Sequence, residues 1–133
     1  MEIITTIYLD FSRKTTPVIV YAKEFDNESR YLSVIPLDNG ATLSLDSGFT
    51  AKLRVVSEGY PSSSIEEEAA DATISQRTSS LVFPLTKRIL TPVGVKAAEI
   101  KITSGSSVLT SEKFYLNIEN AVDNEERMQR GWL

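Results

Sequence analysis

The segment from Phe49 to Val55 constrains the fold more than any other feature of the sequence. Every second residue is apolar, and the residues between them are threonine or basic. Successive side chains of a β-strand point to opposite faces of the sheet. The segment therefore predicts a strand with one face on a core and the other in solvent.

Similar extended segments recur along the chain, separated by residues typical of turns. They cover Ile3–Leu9, Val18–Phe25, Tyr31–Leu37, Ala41–Leu45, Leu81–Leu85, Val95–Thr103 and Val108–Leu116. The sequence Asp38-Asn39-Gly40 predicts a tight hairpin, since these residues tolerate a left-handed backbone. About seven or eight short strands spaced in this way predict an all-β fold, an antiparallel immunoglobulin-like β-sandwich.

Three local signals qualify this pattern. Pro36 suggests that its strand lies at a sheet edge or carries a bulge. Ser64 followed by Glu67 resembles a capping box, which predicts a short helix. After Ile118 the sequence becomes rich in Glu and Arg, so we expect a β-sandwich domain over residues 1–118 and a short C-terminal helical tail over 119–133.

The composition argues against most enzyme classes and several binding classes. The chain has no histidine and no cysteine, which removes the commonest general base, metal ligand and thiol nucleophile. A net charge of -4 opposes sequence-independent binding to nucleic acid. No apolar run approaches the roughly 20 residues of a membrane-spanning helix. We therefore expect a non-enzyme with no nucleic-acid or membrane partner.

Two acidic groups are the remaining candidates for acid–base chemistry or calcium binding. Asp38 and Asp46 flank a predicted hairpin, and residues 66–68 are three consecutive glutamates. Turn geometry and an exposed first helical turn explain these positions better, and neither has the spacing of a calcium loop. No glycine-rich phosphate-binding motif is present. The sequence thus predicts no catalytic residue, no metal site and no cofactor.

The tail contains apolar residues without an evident place in the domain. They are Val122, Met128, Trp132 and Leu133. A helix this short is marginal in water on its own, so it must pack on the sandwich or on a neighbouring molecule. A tryptophan near a terminus is a candidate interface anchor, and we favour the neighbour. These four residues are the predicted partner interface of a homo-oligomer.

The order of these segments resembles a known family. An opening β-run ending near TTP precedes the hairpin SVIPLDNGATLSL, the strand FTAKLRVV and the segment SLVFPLTKRILTPVGVKAAEIKITSGSSVLTSEKFYLNIENA. The matching positions are Pro84, Gly94, Glu99, Ile100, Gly105, Thr110, Ser111, Phe114, Leu116 and Ile118. In these features the chain resembles the N-terminal domain of baseplate upper proteins from tailed phages that infect Gram-positive bacteria.

The resemblance implies a structural protein of a phage or prophage virion. Such a domain docks on the tail hub, contacts other tail and baseplate proteins, and gathers copies into an oligomer, a trimer by analogy. It would be made in the cytoplasm of the bacterial host and reside in the tail or baseplate.

The alternative is a carbohydrate- or cell-surface-binding β-sandwich module. Such a module needs aromatic side chains exposed on one sheet. The candidate aromatics are Tyr8, Tyr21, Tyr31, Tyr60 and Tyr115.

Overall fold

A computed structural model of the chain describes residues 2–26, 29–45, 48–57, 64–65, 73–75, 80–91 and 93–120. The regular structure in these ranges is all strand, which confirms the predicted all-β class. The strands are β1 (Ile3–Asp10), β2 (Ile19–Lys23), β3 (Arg30–Asp38), β4 (Ala41–Thr42), β5 (Thr50–Ser57), β6 (Ser64–Ile65), β7 (Thr73–Ser75), β8 (Ser80–Pro84), β9 (Gly94–Ser104), β10 (Ser107–Thr110) and β11 (Phe114–Glu119). No helix in the described ranges is long and apolar enough to cross a membrane.

The strands form two sheets. In the first sheet the order is β1-β3-β8-β7, and β4 pairs with β3. In the second sheet the order is β2-β11-β9-β5-β6, and β10 pairs with β9. β1 and β2 thus follow one another in sequence but form edges of different sheets.

Both sheets are mixed, which corrects the prediction of an antiparallel fold. β1 runs parallel to β3, and β2 runs parallel to β11, while the other pairs are antiparallel. Neither parallel pair is joined by a hairpin, because each pair is separated by strands of the other sheet. Alternation shows which face of a strand is buried but not the direction of its neighbour, so the sequence did not reveal these pairs.

One hydrophobic core joins the two sheets. Leu32 and Val34 of β3 and Phe83 of β8 are buried on the first sheet, and Leu53 of β5 and Leu116 of β11 on the second. All five belong to the same cluster. The alternation in β5 is as predicted, since its apolar residues from position 51 to 55 are buried and Lys52 is exposed.

The predicted hairpin at Asp38 to Gly40 is confirmed. Leu37 pairs with Thr42 and Asp38 with Ala41, so the connection has two residues. These are Asn39 with φ 50° and Gly40 with φ 87°. Positive φ at both central positions is the signature of the type I′ turn, which matches the twist of the strands.

Pro36 lies in an inner strand, so the expectation of an edge position is wrong. β3 lies between β1 and β8. However, the pairing of β3 with β8 ends at Val34 opposite Leu81. Beyond that point the Pro36 carbonyl accepts a hydrogen bond from the Leu43 N–H at 3.1 Å. Proline lacks a backbone N–H, so it cannot return this bond to Leu43.

Two further sequence predictions change in detail. Ser64 and Ile65 form β6, antiparallel to Val55 and Val56, so a helix does not begin at Ser64. Glu119 is the last residue of β11, so the predicted helical tail does not begin at residue 119. The remaining residues of the helix predicted from Ser64, and the tail beyond residue 120, lie outside the described residues. The immunoglobulin-like arrangement stays a prediction.

The segment predicted as one strand from Val108 to Leu116 is two strands. β10 pairs with β9 in a register that places Thr110 opposite Lys101, and β11 resumes with Phe114 opposite Ala98. Three residues on one strand thus face two on the other, which defines a β-bulge. This bulge, residues 111–113, contributes to the site described next.

Candidate functional site

The predicted interface residues cannot be located. Val122, Met128, Trp132 and Leu133 lie outside the described residues, as do Asp46 and the glutamates 66–68. Asp38 is described, and its carboxylate accepts a hydrogen bond from the Ser12 hydroxyl. The pairing of Asp38 with Asp46 stays untested.

Asp10, at the end of β1, is the centre of the densest polar network in the described part of the chain. Its side chain accepts hydrogen bonds from four backbone N–H groups. The donors are Ser12 at 2.8 Å, Arg13 at 3.1 Å, Asn39 at 3.1 Å and Gly40 at 2.8 Å. One carboxylate therefore fixes both the loop after β1 and the turn between β3 and β4.

The charge of Asp10 is stabilised in this position. Burial alone would raise the pKa of its carboxyl group, but the four backbone N–H groups lower that pKa below its ordinary value. Arg13 adds an ion pair at 3.3 Å, with its side chain half in solvent. Asp10 is therefore an ionised structural anchor and has no proton to donate at neutral pH.

Glu112, in the bulge, attaches the second sheet to this network. Its Oε2 accepts a hydrogen bond from the Asp10 backbone N–H at 2.8 Å, and its own N–H donates to the Asp10 carbonyl at 3.2 Å. Its Oε1 accepts hydrogen bonds from both the N–H and the hydroxyl of Thr15, at 2.9 and 2.7 Å. The cluster of Asp10, Glu112 and their donors thus ties the end of β1 to the bulge of the other sheet.

Lys96 is a second buried charged residue that the sequence did not single out. Its Nζ donates to the carbonyl of Ile89 at 2.8 Å and to that of Thr91 at 2.6 Å. These carbonyls end the turn between β8 and β9, in which the Leu90 N–H donates to the Thr86 carbonyl. Lys96 holds this connection against the second sheet.

Of these three buried or bulge residues, Asp10 alone has a sequence pattern that could have predicted its role. Asp10 ends a strand and lies two residues before Ser12, and an aspartate at such a position typically accepts a hydrogen bond from the backbone N–H two residues later. Glu112 and Lys96 have no such signal, because each bonds with groups that are remote or belong to irregular backbone.

The outer faces of both sheets carry apolar side chains. On the first sheet, Ile4 and Tyr8 of β1 are 56% and 59% exposed. On the second sheet, Ile19 and Tyr21 of β2 and Val95 of β9 are similarly exposed. Where exposed apolar side chains form a contiguous patch, the patch is typical of sites that contact other proteins.

The tyrosines of the carbohydrate-binding alternative are divided between the two faces. Tyr8 and Tyr31 lie on the first sheet, on the face opposite the core, and Tyr21 and Tyr115 lie on the second. Tyr60 is outside the described residues. The aromatics therefore do not form one shared platform, and the alternative stays a hypothesis.

A shallow cleft on the second sheet has a volume of about 250 Å³. Its lining includes Arg54 and Glu99, which form an ion pair at 3.6 Å, together with Ala97 and Lys113. Ligand pockets usually enclose about 300–1,000 Å³, so this cleft is small for a ligand site. Within the described ranges, no group of three or more acidic side chains is placed to hold a metal ion.

Comparisons with known proteins give matches among solved structures alone. No family model matches the sequence, and no curated protein matches it. Among solved structures, the chain is similar to the N-terminal domain of phage TP901-1 ORF48, with a TM-score of 0.63 and 15% identity. The match covers 86% of this chain and 98% of that one. That protein is a phage baseplate protein, and the match confirms, at the level of the fold, the resemblance drawn from the sequence.

Proposed function

We propose that this protein is a structural component of a phage or prophage tail, located in the baseplate. The observation that carries the proposal is the fold match, which extends over nearly the whole of the ORF48 domain. A domain that shares this fold over most of its length is suited to the task that the resembled family implies, which is to dock on a tail hub. We propose the immunoglobulin type of β-sandwich as its architecture.

The distribution of polar groups supports a binding role without catalysis. The oxygens of the buried Asp10 carboxylate are already engaged by backbone N–H groups. The Lys96 ammonium is engaged by carbonyls in the same way. Groups held like this stabilise connections between strands, and the exposed apolar faces are available for contact with other tail proteins.

The tail is proposed to gather copies of the chain into a homo-oligomer, a trimer by analogy with the resembled family. Residues 121–133 would form a helix whose apolar residues pack on a neighbouring copy. Trp132 is the chain's single tryptophan, and large aromatic residues contribute most to interface energies.

Deleting the gene from its phage or prophage genome tests the virion role. We expect the purified wild-type virion to contain the chain by mass spectrometry, and the deletion to yield particles with an incomplete baseplate by negative-stain electron microscopy. A gene supplied on a plasmid should restore the baseplate. Complete, infectious particles that lack the chain would overturn the proposal.

Substitution of Trp132 tests the tail interface. Trp132→Ala should weaken self-association by about 30-fold, since a hot-spot aromatic contributes roughly 2 kcal/mol or more. Arg127→Ala, in the same segment, is the matched control. Sedimentation equilibrium on both variants measures the effect, and equal association constants would remove Trp132 from the interface.

A further inference from the structure

The backbone of β1 has one edge bound to β3 and one edge open. The Ile3 N–H donates to the Ser29 carbonyl, and the Phe11 N–H donates to the Leu37 carbonyl. In a parallel pair, alternate residues direct both backbone groups to the same neighbour. The odd-numbered residues of β1 therefore face β3, and the N–H and C=O groups of Ile4, Thr6 and Tyr8 face the opposite edge.

This open edge lacks the features that usually protect one. Within the described ranges, β1 pairs with β3 and with no other strand. No charged residue and no proline occur between Ile3 and Leu9. The side chains of Ile4, Thr6 and Tyr8 are exposed beside their open backbone groups. An exposed apolar edge without charge or proline is a template for another strand.

The open edge ends at Tyr8. At the next even position, the Asp10 N–H and carbonyl are both occupied by Glu112, at 2.8 and 3.2 Å. The available ladder thus spans the five residues from Ile4 to Tyr8, and its open backbone groups belong to three of them, with Thr6 at the centre.

The sequence around Thr6 is nearly symmetric. Ile4 and Tyr8 are equally spaced from Thr6 on the exposed face, and Ile3 and Leu9 are equally spaced on the inner face. When such a strand pairs antiparallel with its own copy about Thr6, Ile4 meets Tyr8 and Ile3 meets Leu9, while Ile7 meets Thr5. A strand from an unrelated protein has no reason to match this symmetry.

We propose that β1 pairs antiparallel with β1 of a second copy of this chain, about a two-fold axis at Thr6. Ile4 then lies opposite the partner's Tyr8, and Thr6 lies opposite the partner's Thr6. Aromatic pairs with β-branched residues and threonine pairs are both favourable between strands. The pairing joins the first sheets of two molecules into one continuous sheet, and it does not depend on the proposed virion role.

Single cysteines test both the contact and its register, because the chain has no cysteine of its own. Directly opposed residues in such a pair have Cα atoms about 5.5 Å apart, within reach of a disulfide. Thr6→Cys should therefore give a disulfide-linked dimer under mild oxidation. In Tyr8→Cys the two cysteines lie four residues apart along the strands, about 13 Å, and should not crosslink.

A charge at the axis provides a second measurement. Thr6→Lys places two ammonium groups opposite each other, so the two-fold contact should be lost in sedimentation velocity while the circular dichroism spectrum stays unchanged. Ser107→Lys, on the exposed strand β10 of the other sheet, is the control and should leave the contact intact.

The outcomes of these experiments distinguish a second copy of this chain from another protein as the partner of the open β1 edge. Crosslinking by Thr6→Cys alone supports the two-fold pair. Equal crosslinking of both cysteine variants, or none from either, overturns it. In the latter case, protection of the Thr6 amide from hydrogen exchange by another tail protein would assign the edge to a strand of that partner.

Discussion

At the scale of single residues, two buried charges hold irregular connections in place. The Asp10 carboxylate accepts hydrogen bonds from the loop after β1 and from the β3–β4 turn. The Lys96 ammonium donates hydrogen bonds to two carbonyls at the end of the β8–β9 turn. Irregular backbone leaves N–H and C=O groups without ladder partners, and leaving such groups unpaired when buried is costly. A single charged side chain can satisfy several of them at once.

Replacing Asp10 by asparagine should lower stability at neutral pH, because an amide cannot accept four N–H donors as a carboxylate does. The folded protein lowers the pKa of this carboxyl, so its contribution to stability is complete above the unfolded pKa of about 3.9 and disappears as the pH falls through the folded value. The stability gap between wild type and Asp10→Asn should therefore be constant near neutrality and shrink below about pH 3.9. Urea unfolding at several pH values measures it, with Glu2→Gln as an exposed control. A gap that widens in acid would contradict this account.

Replacing Lys96 by methionine should reduce the free energy of unfolding by about 2 kcal/mol, since two carbonyls lose a charged donor. Methionine retains most of the buried aliphatic length, so the loss isolates the ammonium. Lys87→Met, at an exposed position of the same turn, is the control and should change stability by less than about 0.5 kcal/mol. Equal effects of the two substitutions in chemical denaturation would show that the carbonyls find other donors.

At the scale of secondary-structure elements, local sequence signals were sufficient to predict a strand pair when the two strands lie close together in the sequence. The Asn39-Gly40 turn fixes its own hairpin, and alternation in β5 identifies its buried face. The parallel pairs β1–β3 and β2–β11 were not predictable, because their partners are distant in sequence and alternation does not encode strand direction. The predicted helix start at Ser64 failed for a related reason, since pairing with Val56 in the sheet overrides a weak capping pattern.

The bulge between β10 and β11 depends on the hydroxyl of Ser111. Its Oγ accepts a hydrogen bond from the Ile100 N–H at 2.9 Å and donates to the Glu112 carbonyl at 2.8 Å. The side chain thus replaces the ladder partner that the bulge displaces.

Ser111→Ala should therefore cost about 1–3 kcal/mol, because it leaves the buried Ile100 N–H unsatisfied. Hydrogen exchange should become faster at the Ile100 amide in particular, and denaturant unfolding gives the total loss. Ser107→Ala, on the exposed part of the same hairpin, should change neither quantity. An unchanged Ile100 exchange rate in Ser111→Ala would show that the backbone repairs the bulge without the hydroxyl.

At the scale of the whole molecule, the strands of the candidate site could be predicted from the sequence, but their exposed edges could not. Exposed apolar residues of β1 were visible in the sequence as a strand, but which edge is open depends on the strand order. The closure of that edge by Glu112 depends on the meeting of two sheets. Surfaces for assembly are thus properties of the complete fold, and the fold is also what the chain shares with the ORF48 domain.

The shared core predicts that the two sheets unfold as one unit. Leu32 of the first sheet and Leu116 of the second are fully buried in the same cluster. Truncating either leucine to alanine should cost about 2–5 kcal/mol through lost burial and the cavity that remains. Because neither sheet has a core of its own, each substitution should reduce hydrogen-exchange protection equally in β3 and in β9.

Val108→Ala, on the exposed part of β10, is the control for this experiment and should leave protection unchanged within about 0.5 kcal/mol. If Leu32→Ala lowered protection in β3 but left β9 unaffected, the sheets would be separate units. The contacts between the Asp10 and Glu112 backbones argue against that outcome, because opening either sheet alone would break hydrogen bonds that belong to both.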